Sequence, residues 1–246
     1  MSQRKSIIVF SPHPDDETLG VGGTILKKIE QGYEVIVVIL TDGRHAFSRL
    51  FRINSHPTPE ETIIIRKKEV ESALNILGVQ EKNIYFLDFE DGTLENNETI
   101  AEEKIIQILT GNIPMEAYLP YFKDENPDHR ATNRIVQNAI LKSGLAIETY
   151  QYSIVQYSAN FGPLKDSFIN FFIHNQFHSD ISKFVTLKKV AIDKFNSQIS
   201  IISTNQERPV LTPQTIDKHL RNYEVFYVKN HLKNRAKFYE GIVDNS

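Results

Sequence analysis

The sequence contains no cysteine. Disulfides, thiolate zinc sites and cysteine nucleophiles are therefore excluded, and the redox compartment stays undetermined. It lacks any apolar stretch of about 18 residues or more, so no transmembrane helix is expected. The apolar run in the opening "MSQRKSIIVF" is too short for a signal peptide, which makes a cytoplasmic location the expectation, with association at a membrane surface still compatible. Excess charge is missing too. With 28 Lys and Arg against 31 Asp and Glu, the net charge is -3, which argues against a nucleic-acid footprint. No internal repeat, low-complexity tract or interdomain linker interrupts the chain, so residues 1–246 are expected to form one domain. A chain of this length buries a sizeable core.

What is there is an alternation of strands and helices. Ile7–Phe10 reads as a short buried strand and Tyr33–Leu40, "YEVIVVIL", as a second. Strands are also expected at Asn83–Phe89, Ala117–Phe122 and Thr149–Val155. Between them, helices are expected over Thr18–Glu30, Thr58–Leu77, Thr99–Leu109 and His129–Lys142. The second of these carries the strongest signals. Thr58 is placed to cap it, Pro59 sits at its first position, Glu61 completes a capping box and Gly78 ends it. Three glycines near the start of the first helix cost helix stability and suggest a close backbone approach there. Residues 156–183 break the rhythm and are rich in aromatics, an excursion expected to cover or edge the site. Leu187–Ile202 reads as one amphipathic helix and Ile216–Lys229 as a mixed element. The pattern predicts an α/β fold, Rossmann-like, three layers α/β/α around a mostly parallel sheet.

In such sheets ligands bind beyond the carboxyl ends of the strands. "SPHPDDETLGVGG" follows the first strand, "TDGR" the second, "DFEDG" the third and "PYFKDENPDH" the fourth, so four polar loops share one edge. His13 and Asp16 lie three apart on a tight turn and can face one centre. A third ligand from another strand end, best supplied by His129, completes a catalytic zinc set with one open position. Iron(II), cobalt or manganese suit the same donors. Each residue alone has a plainer reading: paired aspartates favour any helix start, Glu17 can be a first-turn charge, and His129 can be a surface residue. His45, His56, His174, His178, His219 and His231 have no comparable partners. "GVGG" is not a dinucleotide fingerprint, because its glycines fall inside the helix.

"PHPDDETLGVGG" resembles the signature of the PIG-L/LmbE family of zinc-dependent N-acetylglucosaminyl deacetylases. "RKKEVESALNILGV", "FLDFEDGTL", "NPDHRATNRIVQNAI", "DISKFVTLKKVAIDKFNSQI" and "YEVF" resemble later segments of that family. The resemblance implies one zinc per chain, held by His13, Asp16 and His129. It implies Asp15 as the general base, Asp128 as a group orienting a neighbour, and Arg66 at the position that binds sugar hydroxyls. The implied reaction removes acetyl from an N-acetylated amino sugar through a zinc-activated water. A homo-oligomer is compatible with the sequence.

One position departs from the family pattern. Asn126 stands where the second metal motif usually has a histidine thought to stabilise the oxyanion. Asparagine can donate a hydrogen bond there but brings neither charge nor a titrating group, and losing one such donor typically costs about 10²–10³ in turnover. The competing expectation is a catalytically weak relative that binds sugar or metal without useful turnover.

Overall fold

The computed structural model describes residues 5–154 and 174–229. Seven strands form one sheet in the order β3-β2-β1-β4-β5-β7-β6. The first five are β1 (Ser6–Ser11), β2 (Glu34–Thr41), β3 (Ile84–Phe89), β4 (Glu116–Pro120) and β5 (Glu148–Tyr152). They run parallel to one another, with Ile7 opposite Val35 on one side and Glu116 on the other. The strand order reverses between β1 and β4, which is where open α/β sheets leave a crevice for ligands.

β1 is buried along its whole length, as expected of a strand covered on both faces. Its side chains alternate between two cores. Ile7 and Val9 pack with α1 (Asp16–Glu30) and α3 (Pro59–Leu77). Ile8 and Phe10 pack with α4 (Glu98–Asn112) and α5 (Pro127–Ser143). The expected three-layer α/β/α architecture is therefore observed. α3 begins with the anticipated capping box, in which Thr58 and Glu61 satisfy each other's backbone amides, and it ends at Gly78 in the left-handed region, φ 84°.

Three expectations are corrected. A short helix, α2 (Ala46–Phe51), stands in a stretch that carried no helix signal; buried Phe47 anchors it. The helix expected over Leu187–Ile202 is two pieces, α6 (Val185–Ile192) and α7 (Asn196–Ile199). The break puts the Ser197 amide and hydroxyl on the Glu69 carboxylate, both at 2.7 Å. Part of the aromatic excursion is a strand. β6 (His174–Asp180) pairs antiparallel with β7 (Tyr223–Lys229), which pairs antiparallel with β5, so β6 edges the sheet. Residues 156–173 of that excursion, and Val155 of the expected fifth strand, lie outside the described residues. A last helix, α8 (Pro213–His219), precedes β7.

The glycines of α1 meet close neighbours, as anticipated. Gly20 lies under the Tyr152 ring, a side chain at Gly22 would meet Lys188 Cγ at 3.3 Å, and one at Gly23 would collide with Ile181. Through this narrow gap a buried ion pair grips the helix. Lys188 Nζ donates to the Leu19 carbonyl at 2.7 Å and to Glu224 Oε1 at 2.8 Å. Glu224 accepts from the Gly23 and Thr24 amides, both at 2.8 Å. Gly23→Ala is expected to destabilise the protein by about 1–3 kcal/mol through overpacking, although alanine is the better helix former by about 1 kcal/mol. A lower denaturant midpoint at unchanged slope is the expected reading; a higher midpoint would show that the contact with Ile181 yields.

Candidate metal centre

The turn after β1 is held from beneath. Glu17 is fully buried and accepts from Ser11 Oγ at 2.9 Å, Thr18 Oγ1 at 2.8 Å and the Asp15 amide at 3.2 Å. Glu17 is thus more than a first-turn charge: it braces the loop, and burial raises its carboxyl despite these donors. Asp15, at the N-cap of α1, has φ 142°. A non-glycine residue there is strained, and such strain persists only where the surroundings impose it, commonly at functional sites.

The three ligands expected from sequence come together. His13 Nδ1 lies 3.1 Å from Asp16 Oδ2 and 3.2 Å from His129 Nε2, and His129 Nε2 lies 3.1 Å from the same Asp16 oxygen. His13 is partly buried, Asp16 and His129 fully so. Ligands at tetrahedral angles on bonds of about 2.0–2.1 Å stand roughly 3.3 Å apart, so this near-equilateral triangle has the size that a zinc-like dication takes. Two nitrogens and one oxygen are also the donor set such an ion accepts.

Each imidazole faces a carboxylate at its other nitrogen. His13 Nε2 is 3.3 Å from Asp128 Oδ2 and 3.5 Å from Asp91 Oδ1. His129 Nδ1 is 3.2 Å from Asp124 Oδ2. Carboxylates placed behind ligating histidines fix ring orientation and raise basicity. Asp128 is itself held by the Gly92 and Leu94 amides, at 2.6 and 3.3 Å, and Asp91 by Arg49 at 3.2 Å. Asp91, Asp128 and His13 also form a metal-sized group, but those amides and the Arg49 guanidinium already occupy its carboxylates. Asp128 therefore stands where it can orient a neighbour. Asp91 and Asp124 carried no assigned role in the sequence; the only signal for them was their place in loops at the same sheet edge.

The charges press on one another. Burial works against protonated His13, but Asp128, Asp16 and Asp91 outweigh it and hold the ring well above its ordinary value. Burial likewise opposes protonated His129, yet Asp16 and Asp124 lift it to about 9. Burial would raise Asp16; the two imidazoles beside it win and push it well below the carboxylate range. Asp15 goes the other way. Burial lifts it to about 7 against the pull of Arg66, with Asp16 and Glu17 adding repulsion.

Arg66 is 4% exposed, and its Nη2 sits 3.0 Å from Asp15 Oδ2. It also donates to the Pro14 and Gly43 carbonyls. Its contacts thus tie the loop carrying Asp15 to the loop after β2. Asn126 caps α5, its Oδ1 accepting from the Asp128 amide at 2.8 Å. Asp124 in turn accepts from the Asn126 amide at 3.0 Å.

Comparison with known proteins identifies the family. Residues 8–140 match the model of the PIG-L family, described as GlcNAc-PI de-N-acetylase. A diacetylchitobiose deacetylase of Thermococcus kodakarensis is 31% identical over 146 residues, which cover 57% of this chain and 51% of that protein. A probable N-acetyl-α-D-glucosaminyl L-malate deacetylase 2 of Bacillus anthracis is 32% identical over 145 residues, 57% of this chain and 61% of its own length. The chain thus spans between half and two thirds of these curated relatives. Among solved structures, the N,N'-diacetylchitobiose deacetylase of Pyrococcus horikoshii superposes with a TM-score of 0.59 at 26% identity, covering 77% of this chain and 69% of that one. The family match takes in β1, β4 and both loops that carry His13, Asp16 and His129, and more than half of the chain: this protein belongs to the PIG-L family.

Proposed function

We propose that the chain is a metal-dependent N-deacetylase that removes the acetyl group from an N-acetylated amino sugar, with His13, Asp16 and His129 holding one zinc and Asp15 as general base. The observation that carries this reading is the donor triangle with a buried, strained carboxylate next to it. A dication held there would supply Lewis acidity toward the acetyl carbonyl and would bring the pKa of a water to roughly 7. Asp15 takes the proton of the attacking water and returns it to the leaving amine as the C–N bond breaks, giving acetate and a free amino sugar. Arg66 holds the Asp15 carboxylate in place and favours its charged form. Asp128 and Asp124 engage the far nitrogens of the two histidines, which leaves His13 Nδ1 and His129 Nε2 for the ion. Asn126 uses its oxygen as a helix cap, so its amide nitrogen is the group left to donate to the oxyanion.

The names of the relatives support the substrate class, since both matched enzymes act on N-acetylated sugars. That all described strands join one sheet supports reading residues 1–246 as one domain. No helix among the described residues is long and apolar enough to cross a membrane. The test is a panel of N-acetylglucosamine conjugates given to zinc-loaded protein. Acetate and free amine should appear in equal amounts, stop after chelation and return with zinc. If no conjugate releases acetate, the weak-relative reading that Asn126 motivates replaces this one.

A further inference from the structure

Beside the metal centre lies a cavity of about 310 Å³. Leu19 and Gly20, one turn beyond Asp16 on α1, form one wall, and Tyr121, which opens the loop leading to Asp124 and His129, forms another. The rest comes from Ser153 after β5, Lys188 of α6, β6, β7 and the segment around α8, all beyond the residues 8–140 that match the family. Its charge is one-sided. Lys188, Lys218 and Arg221 line it against a single carboxylate, Glu224. That carboxylate is already taken by Lys188 and two backbone amides. Lys218 and Arg221 form no ion pair among the described residues.

A second observation points inward. His219 is 8% exposed, lines the cavity, and its Nε2 has no hydrogen-bond partner among the described residues. A buried polar atom left unpaired is costly, and native proteins rarely keep one without a ligand or water to meet it. Burial, reinforced by Lys188, depresses the His219 imidazole to about 4, while the Asp16 carboxylate and the Leu19 and Ile154 backbone pull the other way. The cavity and the metal centre therefore share one electrostatic neighbourhood.

We propose that this cavity binds an acidic group, a carboxylate or a phosphate, carried by the part of the substrate beyond the N-acetylated sugar, with Arg221 and Lys218 pairing its charge at the mouth and His219 Nε2 meeting it inside. This rests on the deacetylase reading and narrows it to acid-bearing amino-sugar conjugates. Tyr223 and Tyr227 line the same space. A hydrogen bond to a charged group contributes about 1.5–3 kcal/mol, which corresponds to roughly 10–100-fold in kcat/KM.

The experiment compares N-acetylglucosamine conjugates that share a linker but end in a carboxylate, a phosphate or a neutral hydroxymethyl group. kcat/KM is measured on zinc-loaded protein, and Kd by calorimetry for the corresponding free-amine products. The acidic conjugates should be favoured about 10–100-fold over the neutral one. Arg221→Gln with Lys218→Gln, both at exposed positions, should lower kcat/KM for the acidic conjugates to that of the neutral one. The ratio between the two acidic conjugates identifies which acid the cavity takes. Equal kcat/KM for acidic and neutral conjugates, or a preference that survives the double variant, overturns the proposal. So does inorganic phosphate or acetate binding as tightly as the conjugates, because the site would then hold free anions. If nothing is hydrolysed but the acidic products still bind more tightly in an Arg221-dependent way, the deacetylase reading fails and the cavity assignment stands.

Discussion

Asp15→Asn lowers deacetylation about 10²–10⁴-fold, the range of a lost general base, while zinc stays near one per chain. The substitution keeps the shape of the side chain and removes its proton-carrying capacity. It leaves His13 Nδ1, Asp16 Oδ2 and His129 Nε2 untouched, so the ion has no reason to leave. Arg66 loses its charged partner but keeps the Pro14 and Gly43 carbonyls, and an asparagine oxygen can still accept from it. Removing Asp15 also relieves its repulsion with Asp16 and Glu17. Folding should therefore survive. Metal content by elemental analysis and acetate release by coupled assay decide the matter together: full turnover in a zinc-replete Asn variant assigns the proton transfer to another group.

Metal affinity is expected to fall steeply as the pH drops. In the metal-free protein the surrounding carboxylates raise His129 to about 9 and His13 well above its ordinary value, so both rings attract protons at neutral pH. A ligating imidazole must be neutral. The sign follows directly: protons compete with the ion wherever the rings are protonated, so affinity falls as the pH drops through the His129 value of about 9. The facing nitrogens are 3.2 Å apart, so two full positive charges repel and the pair gives up between one and two protons. Affinity should thus change about 10–100-fold per pH unit between about pH 6 and pH 8. Chelator competition across that range, or calorimetry in buffers of different ionisation enthalpy, reads the proton count. A flat profile would mean that the rings are already neutral before the ion arrives, and that the carboxylates do not govern the site.

Much of this was legible in the residues. Runs such as "IIVF" and "YEVIVVIL" place buried parallel strands because their apolar side chains need cover on both faces. Strands alternating with capped helices order the sheet, and sheet order alone brings the loops after β1 and β4 to one edge. That ground points to His13, Asp16 and His129, and they meet. The glycines of α1 mark a close approach, though not to what. α2 was missed because six residues carry too little periodicity. The break between α6 and α7 was missed because its cause is remote: Glu69, 128 residues away, takes the Ser197 amide.

The sequence by itself therefore determined the layers, the edge on which the chemistry sits and the identity of the three converging donors. These depend on local periodicity and on topology, which repeat along the chain. Only the tertiary structure decided which nitrogen of each histidine faces the centre and that Asp91 and Asp124 stand behind them. Only it turned Arg66 toward Asp15, made Asn126 a helix cap and drove Lys188 and Glu224 into the backbone of α1. The physical reason is distance along the chain. His13 and His129 are separated by 116 residues, and Lys188 and Leu19 by 169. An interaction between such residues has no local period, and its sign and geometry exist only once the sheet has brought them within about 3 Å.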